Sequence, residues 1–380
     1  MLSEANKGLR GIVAGESKIG FVDGVRGTLS YRGYRVEDLA KKASFEETAY
    51  LLLYGKLPNQ KELKTFSKKI SEKRKLPKEI LKMIPLFPKK AHPMEVLQTV
   101  IAALGSFYPD TLDQAKPTVV LDRSLELMGQ FPTVVAATWR ALQGKKMLPP
   151  NNHLDHCSNF LYMLTGKEPD AEGAKIFDSC LTLHAEHSFN ASTFTARVVV
   201  SSLSSLHAAV SAAVGSLYGP LHGGANEHVL EMIDEIKVPE KAEAWVMQKL
   251  ANKEKVMGMG HPIYQVKDPR SYVLEEMLAR YADIKKSTRE YEILKKIETV
   301  MNREMAKKEK TVAPNVDFFS GALYRLLGIH SRLFTPIFAI ARISGWCAHA
   351  VEQLEDNRIF RPDCEYVGPH DLSFIPINQR

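Results

Sequence analysis

The chain has 380 residues, of which 44% are hydrophobic and 25% are charged, as in ordinary soluble globular proteins. This length predicts two domains, with a core large enough to need no disulfide or metal for its stability. No run of about 18 consecutive apolar residues occurs, so the sequence predicts no membrane-spanning helix.

The formal net charge is +7 and the pI is near 9.0, which suits either a nucleic acid or a small anionic substrate. The lysines cluster at 61–90 and 285–310, where glutamates accompany them at helical spacing. Such mixtures are typical of solvated helix faces. Aromatic residues do not alternate with the basic ones, as they do in single-strand binders. The charge pattern therefore favours an anionic small molecule and predicts no nucleic-acid partner.

The cysteines and the first residues indicate the compartment. Four cysteines lie far apart and form no C-x-x-C pair, which favours free thiols in a reducing environment. Residues 1–11 carry no apolar signal-peptide core. We therefore expect a cytoplasmic protein.

The chain begins with β-like runs and continues with helical patterns. Two short runs around a glycine-rich turn, between Ser17 and Tyr31, predict a small hairpin. Beyond it, apolar residues recur at helical spacing in segments that end at Gly, Pro or Asn. These segments predict helices over 36–54, 61–73, 93–108, 119–143, 156–165, 172–184 and 191–217.

Composition changes near residue 220 and again near residue 320. The predicted helices between these points are rich in Lys and Glu, at 225–236, 242–251, 272–280 and 287–308. Apolar residues return at 321–327 and 336–354. We predict an all-α fold in which a large domain, residues 1–220 and 321–380, is interrupted by a small domain, residues 221–320.

Four polar islands interrupt the helices, and functional groups concentrate in such places. In the first, His184 and His187 could ligate zinc with Glu186 nearby, although no cysteine joins them. A loop histidine that hydrogen-bonds to the main chain is a common alternative. Asn190 or Ser192 could cap the next helix.

The second island is the run Gly-Pro-Leu-His-Gly-Gly-Ala-Asn at residues 219–226. It places His222 at or just before a predicted helix start, where the helix dipole disfavours an imidazolium. A neutral imidazole that donates a hydrogen bond suits enolate chemistry, as in triosephosphate isomerase. The alternative is a histidine that serves only the turn and the cap.

The third island runs from Gly258 to Tyr264 and is followed by Asp-Pro-Arg, which ends at Arg270. Gly-x-Gly-His exposes main-chain N–H groups to a ligand, but the third glycine of a dinucleotide fingerprint is missing. Arg270 can clamp a carboxylate. Alternatively, it is a surface arginine that caps a helix or pairs with Asp268.

The fourth island contains Asp317 between Val316 and Phe318, where apolar surroundings would raise its pKa toward that of a general base. Its alternative role is to cap the following helix. Arg342 lies in an otherwise apolar helix and needs a carboxylate partner. Arg361 follows Phe360, and the sequence around it predicts only a solvated surface side chain.

Together the islands offer separated histidines, one aspartate in apolar context and several arginines, without a nucleophilic Ser or Cys beside a base. This inventory suits proton abstraction next to a carbonyl. The histidines would serve as oxyanion donors, and the arginines would hold a small di- or tricarboxylate.

In order and spacing, the islands resemble the citrate synthase family. The resemblance runs from the opening Gly-Ile-Val-Ala-Gly-Glu-Ser at 11–17 to Arg361-Pro362. It implies an almost all-α homodimer whose small domain closes on substrate. It also implies that acetyl-CoA condenses with oxaloacetate without a metal or redox cofactor.

The resemblance implies a role for each matching residue. Asp317 would remove the methyl proton of acetyl-CoA, His222 would stabilise the enolate, and His261 would polarise the oxaloacetate carbonyl. The carboxylate ligands would be His187, Arg270 and Arg342, with Arg361 reaching the neighbouring subunit's site. The loop that holds CoA would be Val256, Met257, Gly258, Met259 and Gly260.

Three positions depart from the family pattern: Met259, Pro262 and Gln265. The last two stand where basic residues commonly help to hold CoA phosphates. Lys267 is either their replacement or a plain surface lysine. One alternative function is 2-methylcitrate synthase with propionyl-CoA, since one methylene is worth only about 1–3 kcal/mol in an apolar pocket. Another is a non-catalytic basic binding protein on the same fold.

Overall fold

The computed structural model describes residues 7–9, 11–109 and 112–380. Helices dominate these residues, which also contain one three-stranded sheet. The first eight helices are α1 (Val36–Lys42), α2 (Phe45–Tyr54), α3 (Gln60–Glu72), α4 (Lys78–Met83), α5 (Pro93–Gly105), α6 (Pro117–Leu142), α7 (His156–Thr165) and α8 (Ala171–His184). The next eight are α9 (Ala191–Ser201), α10 (Leu206–Tyr218), α11 (Ala225–Ile236), α12 (Ala242–Ala251), α13 (Pro269–Lys285), α14 (Arg289–Ala306), α15 (Val316–Leu326) and α16 (Phe334–Glu355).

The predicted hairpin forms and carries an additional short strand. Strands β1 (Gly20–Asp23), β2 (Thr28–Tyr31) and β3 (Tyr34–Arg35) pair in antiparallel order. Arg32 and Gly33 connect the last two with φ of 49° and 89°, the left-handed backbone that a tight two-residue turn requires. Two residues are too few to give a period-two pattern, so β3 carries no signal in the sequence.

Two helices predicted as continuous are each divided by a capping serine. Ser44 separates α1 from α2 and forms a capping box with Glu47. Ser205 separates α9 from α10, and its side chain accepts a hydrogen bond from the main-chain N–H of Ala208. Serine competes with the helical backbone for hydrogen bonds, so it can end one helix and begin another without interrupting the apolar spacing. The sequence also did not predict α4.

The core is organised around α16. This helix is buried over most of its length and packs against α2, α6, α8, α9 and α10. Arg342 and His349 lie on it among apolar side chains. Among the described helices no single one is long and apolar enough to cross a membrane, though Val316–Leu326 and Ser331–Glu355 pass that test together across a bend of 119°.

The Lys- and Glu-rich helices pack on one another and on α15. α12 lies against α14, and both α11 and α13 lie against α15. The division at residues 220 and 320 stays a prediction, although α15 packs with the helices that precede it in sequence. What matters for the site is that α13 and α15 begin side by side.

Candidate active site

Five segments bring the candidate residues together: the turn between α8 and α9, the turn before α11, the loop between α12 and α13, the start of α15 and the middle of α16. The charges of Arg270 and Arg342 act on both His187 and Asp317, and that of Arg342 acts on His222. The ring centroids of His187 and His261 are 5.5 Å apart. The four islands thus converge on one site.

Asp317 is a buried carboxylate inside the first turn of α15. Only 7% of the residue is exposed, and its Oδ1 atom has no hydrogen-bond partner among the described residues. Burial raises the pKa of this carboxyl from 3.8 to about 7, against the lowering charge of Arg270. An unpartnered carboxylate oxygen with such a pKa can accept a proton near neutral pH.

The alternative in which Asp317 caps the helix is wrong, because Asn315, two residues earlier, is the N-cap. The Asn315 side-chain oxygen accepts from the main-chain N–H of Asp317 at 3.0 Å. Its amide nitrogen donates to the carbonyl of Gly260 at 2.9 Å, and its main-chain N–H donates to the carbonyl of Gly258 at 2.9 Å. Asn315 therefore starts α15 and also fixes the glycine loop beside it.

Arg270 and Asp268 form a buried bidentate pair at the start of α13. The Arg270 Nε and Nη2 atoms donate to the two Asp268 oxygens at 3.0 and 2.7 Å, and the arginine is 2% exposed. Burial lowers the pKa of Arg270, but Asp268 outweighs it and holds the pKa above its ordinary value. The arginine is paired with Asp268 as one alternative supposed, but it is not on the surface.

His261 is held as one neutral tautomer. The main-chain N–H groups of Ile263 and Tyr264 donate to its Nδ1 atom at 3.1 and 3.2 Å. Since Nδ1 accepts, the ring proton resides on Nε2. Burial and the charge of Arg270 lower the pKa of His261 to about 4. His261 is therefore a neutral hydrogen-bond donor at pH 7.

His187 and Tyr264 contact each other across the site. The His187 Nε2 atom lies 3.1 Å from the Tyr264 hydroxyl. Burial and then Arg270 hold the pKa of His187 well below its ordinary value, so the imidazole is neutral. Burial also raises the pKa of Tyr264, which keeps the hydroxyl protonated. Tyr264 ends the motif that begins at Gly258, and its position three residues after His261 is the one signal in the sequence for its place in the site.

His222 lies two residues before Gly224, the N-cap of α11, as predicted. The main-chain N–H of Ser192 donates to its Nε2 at 3.3 Å, and the Ser192 hydroxyl lies 2.9 Å away. Because Nε2 accepts, Nδ1 carries the proton. Burial and the charge of Arg342 lower the pKa of His222 to about 4. This histidine too is a neutral donor.

Ser192 is itself fixed by neighbours that the sequence does not link to His222. Trp346 donates its indole N–H to the Ser192 hydroxyl at 3.1 Å, and Ser192 donates to the Asn190 side chain at 2.8 Å. Asn190 is the N-cap of α9, as one alternative proposed. The cap therefore also supports the histidine.

Arg342 has no carboxylate within hydrogen-bond reach among the described residues. Its Nε donates to the carbonyl of His184 at 2.7 Å, and its guanidinium lies 4.8 Å from the centre of the Phe338 ring. Burial lowers the pKa of Arg342 to about 10, against the opposing charge of Glu186. The arginine thus stays charged at neutral pH and can accept an anionic ligand.

The CoA-loop prediction falls on a groove. Residues 256–260 line a space of about 450 Å³ together with Lys255 and Met301. Gly258 and Gly260 have φ of 76° and 87°, and a Cβ on Gly258 would lie 2.9 Å from the Cα of Phe318. Only glycine allows the loop to pack this closely on α15.

Two basic residues lie outside this arrangement. The Lys267 ammonium is paired with Glu275 and Glu298, so it is neither a free phosphate ligand nor a plain surface lysine. Arg361 lies in the extended C-terminal segment, exposed and paired with Asp363 at 2.8 Å. Within one chain it does not join the site.

The described geometry gives the zinc alternative no support. Among the described residues no three His, Cys, Asp or Glu side chains are grouped as metal ligands. His184 Nδ1 hydrogen-bonds to the carbonyl of Cys180 at 2.7 Å, and the buried Glu186 carboxylate hydrogen-bonds to His349. The described cysteines are free.

Comparisons with known proteins give citrate synthases and a 2-methylcitrate synthase. The family model described as citrate synthase, C-terminal domain, matches residues 8–363. The chain is 48% identical to a citrate synthase of Synechocystis sp. over 98% of this chain and 94% of the relative. It is 40% identical to a 2-methylcitrate synthase of Shewanella oneidensis over the full length of both. A Thermoplasma acidophilum citrate synthase, solved as a ternary complex with carboxymethyl coenzyme A and oxaloacetate, superposes with a TM-score of 0.91. That pair is 30% identical and covers 99% of this chain and 100% of the other.

Proposed function

The chain belongs to the citrate synthase family, and we propose that its site condenses acetyl-CoA with oxaloacetate and water to give citrate and CoA. The observation that carries this proposal is the buried Asp317 carboxylate, whose Oδ1 atom has no hydrogen-bond partner among the described residues, in a site that also holds two neutral histidines of fixed tautomer. A base and two hydrogen-bond donors are what enolisation next to a thioester carbonyl and attack on a ketone require.

Enolisation is the first step. Asp317 takes a proton from the methyl carbon of acetyl-CoA, and the C–H electron pair moves toward the thioester oxygen. The Nδ1–H of His222 donates to that oxygen as negative charge develops. A pKa of about 7 at Asp317 reduces the difference in pKa between the base and the weakly acidic methyl group. It also leaves much of the base ionised at neutral pH.

Oxaloacetate occupies the arginine side of the site. Arg270, Arg342 and His187 hold its carboxylates, and the Nε2–H of His261 donates to its ketone oxygen. The enolate carbon then attacks the ketone carbon, and the new alkoxide takes the Nε2 proton of His261, which regains a proton from the water of the hydrolysis step. Water hydrolyses the resulting citryl-CoA. We propose no metal or redox cofactor, because the histidines and arginines supply the polarisation.

The acyl-CoA enters along the groove at 256–260. Main-chain N–H groups beside positive-φ glycines suit the pantetheine and its polar atoms. Lys255 lines the same groove and is exposed, whereas Lys267 is neutralised by glutamates. We propose Lys255 as a CoA-phosphate contact in place of the basic residues absent at Pro262 and Gln265.

We also propose a homodimer, which the family membership supports. The C-terminal segment exposes large apolar side chains, among them Val367, Phe374 and Ile377. A second copy would cover them, and Arg361 would reach the neighbouring site. The four free cysteines suit a cytoplasmic location.

Citrate formation is favoured over 2-methylcitrate formation, since the relatives of higher identity are citrate synthases. The non-catalytic alternative gains no support from a site whose acid–base groups are complete. The test is thiol release from acetyl-CoA, which we expect only in the presence of oxaloacetate. A larger kcat/KM with propionyl-CoA would make the protein a 2-methylcitrate synthase, and no release with either thioester would overturn the enzymatic proposal.

A further inference from the structure

Glu186 is a buried carboxylate that the proposed chemistry does not use. The residue is 0% exposed, and it precedes His187 in the turn between α8 and α9. Its Oε1 atom accepts from the main-chain N–H of Ser188 and from the Nε2 of His349 at 3.0 Å. A buried charge is costly unless its surroundings are arranged for it.

Two glycines make room for this carboxylate. A Cβ on Gly20 in β1 would lie 2.7 Å from Oε1 of Glu186, and a Cβ on Gly345 in α16 would lie 2.5 Å from Oε2. Both distances are shorter than any real carbon–oxygen contact of this kind. The carboxylate therefore occupies a slot between the sheet and the central helix that larger residues would close.

A hydrogen-bonded series continues behind Glu186. The Arg197 Nη1 atom, which can only donate, lies 3.1 Å from Nδ1 of His349. His349 therefore carries its proton on Nε2 and donates it to Glu186. Arg197 is held in turn by Glu352 at 2.8 Å and Gln353 at 3.0 Å. We call Glu186, His349 and Arg197 the Glu186 network.

The network acts on a turn of unusual conformation. Ser188 has φ of 52°, a left-handed backbone that a serine adopts only where the surroundings impose it. The hydrogen bond from its N–H to Glu186 spans the His187 main chain. The direction of the His187 side chain therefore depends on this clamp.

We propose that the Glu186 network positions His187 by holding the left-handed turn at Ser188, so that the imidazole faces oxaloacetate. This inference rests on the proposed function, because it takes His187 as an oxaloacetate ligand. Glu186 touches no substrate in this arrangement and acts through its neighbour. Its loss should weaken oxaloacetate binding and leave acyl-CoA binding in the groove unaffected.

The central experiment compares two substitutions of Glu186. Glu186→Ala removes the acceptor, and we expect KM for oxaloacetate to rise about 10–100-fold, the usual cost of a displaced site group. KM for acetyl-CoA should stay within about threefold. Glu186→Gln keeps an acceptor oxygen, so KM for oxaloacetate should also stay within about threefold of the parent protein. Equal effects of the two substitutions, or equal changes for both substrates, would overturn the proposal.

A second arm separates positioning from simple loss of stability. Glycine adopts positive φ without cost, so Ser188→Gly should restore oxaloacetate affinity when combined with Glu186→Ala. Asp178→Ala is the matched control, because Asp178 is another carboxylate, half-buried, that accepts a main-chain N–H, from Phe45 at 2.9 Å. It should lower the unfolding temperature without changing either KM. No restoration by glycine, or an oxaloacetate defect in the control, would contradict the positioning role.

Calorimetric titration of oxaloacetate without acyl-CoA keeps the two proposals distinct. The affinity differences among these variants should appear in binding alone. If the parent protein binds oxaloacetate but releases no thiol, the proposed reaction fails while the positioning role stands. If affinity is the same in all folded variants, the positioning role fails whatever the activity.

Discussion

The starts of α13 and α15 lie side by side, and their aspartates differ in hydrogen bonding and in charge pairing. At α13, Asp268 is the N-cap itself and accepts from the main chain and the guanidinium of Arg270. At α15, the cap is the neutral Asn315, and Asp317 behind it keeps an oxygen without a partner. The two starts are joined by the hydrogen bond from the Asp268 N–H to the carbonyl of Pro314 at 3.2 Å.

The difference shows how one small region supplies both a fixed charge and a base. Hydrogen bonds and an arginine stabilise the anion of Asp268. With the cap provided by Asn315, Asp317 receives no such stabilisation, and burial raises its pKa to about 7. A neutral cap two positions upstream thus frees a carboxylate for proton transfer.

The largest expected effect comes from removing the free carboxylate. Asp317→Asn keeps the shape and the Asn315 cap but cannot take a proton. We expect kcat to fall about 10²–10⁴-fold, the usual contribution of a general base. Oxaloacetate affinity, measured by calorimetry, should survive because Arg270 and Arg342 are untouched. A kcat within about threefold of the parent protein would remove Asp317 as the base.

Truncation of the paired carboxylate should damage stability instead. Asp268→Ala leaves Arg270 charged, buried and unpaired, and breaking such a pair costs about 3–5 kcal/mol. We expect the urea-unfolding free energy to fall by that amount, with oxaloacetate affinity reduced because the guanidinium loses its orientation. Unchanged stability would mean that the pair is not held in the folded protein in solution.

The buried carboxylate at the start of α15 should also make stability depend on pH. The pKa of Asp317 is about 7 folded against 3.8 as the ordinary value, so the unfolded chain holds fewer protons between these values. Its contribution is therefore favourable below about pH 4 and is lost as pH rises through 7. We expect Asp317→Asn to be more stable than the parent by about 2–4 kcal/mol at pH 8.

The pH dependence separates this effect from a general gain of packing. The stabilisation by Asp317→Asn should shrink toward zero as the pH approaches 4, where the parent carboxyl is protonated. Unfolding curves at pH 4, 6 and 8 measure it. A gain that is equal at all three values would assign the effect to something other than the charge of Asp317.

The sequence sufficed where a feature depends on neighbours along the chain. The position of His222 before a helix followed from the Gly-Pro and Gly-Gly pairs around it, and helix 156–165 followed from its own apolar spacing. The divisions at Ser44 and Ser205 did not, because a serine interrupts a helix without disturbing that spacing. The caps were the weakest part of the prediction for the same reason.

Features that depend on distant residues could not be predicted from the pattern. Glu186 contacts His349, 163 positions away, and Ser192 contacts Trp346, 154 positions away. Asp317 and Asn315 could each have capped α15 by sequence, since both residue types are good caps. Packing against the glycine loop decided between them: the Asn315 amide donates to Gly260, which a carboxylate cannot do.

The smallest expected effect comes from a substitution that makes the start of α15 resemble that of α13. Asn315→Asp keeps a capping oxygen but places a second carboxylate next to Asp317, and a like charge raises the pKa of the base further. Because the base acts when ionised, the midpoint of the pH profile of kcat/KM should move up by about one pH unit. Activity at pH 7 then falls several-fold and recovers at pH 9. Asn315→Ser is the matched control, since it also loses the bond to Gly260 but adds no charge. If the profiles of both variants move together, the loop contact rather than the neutral cap sets the strength of the base.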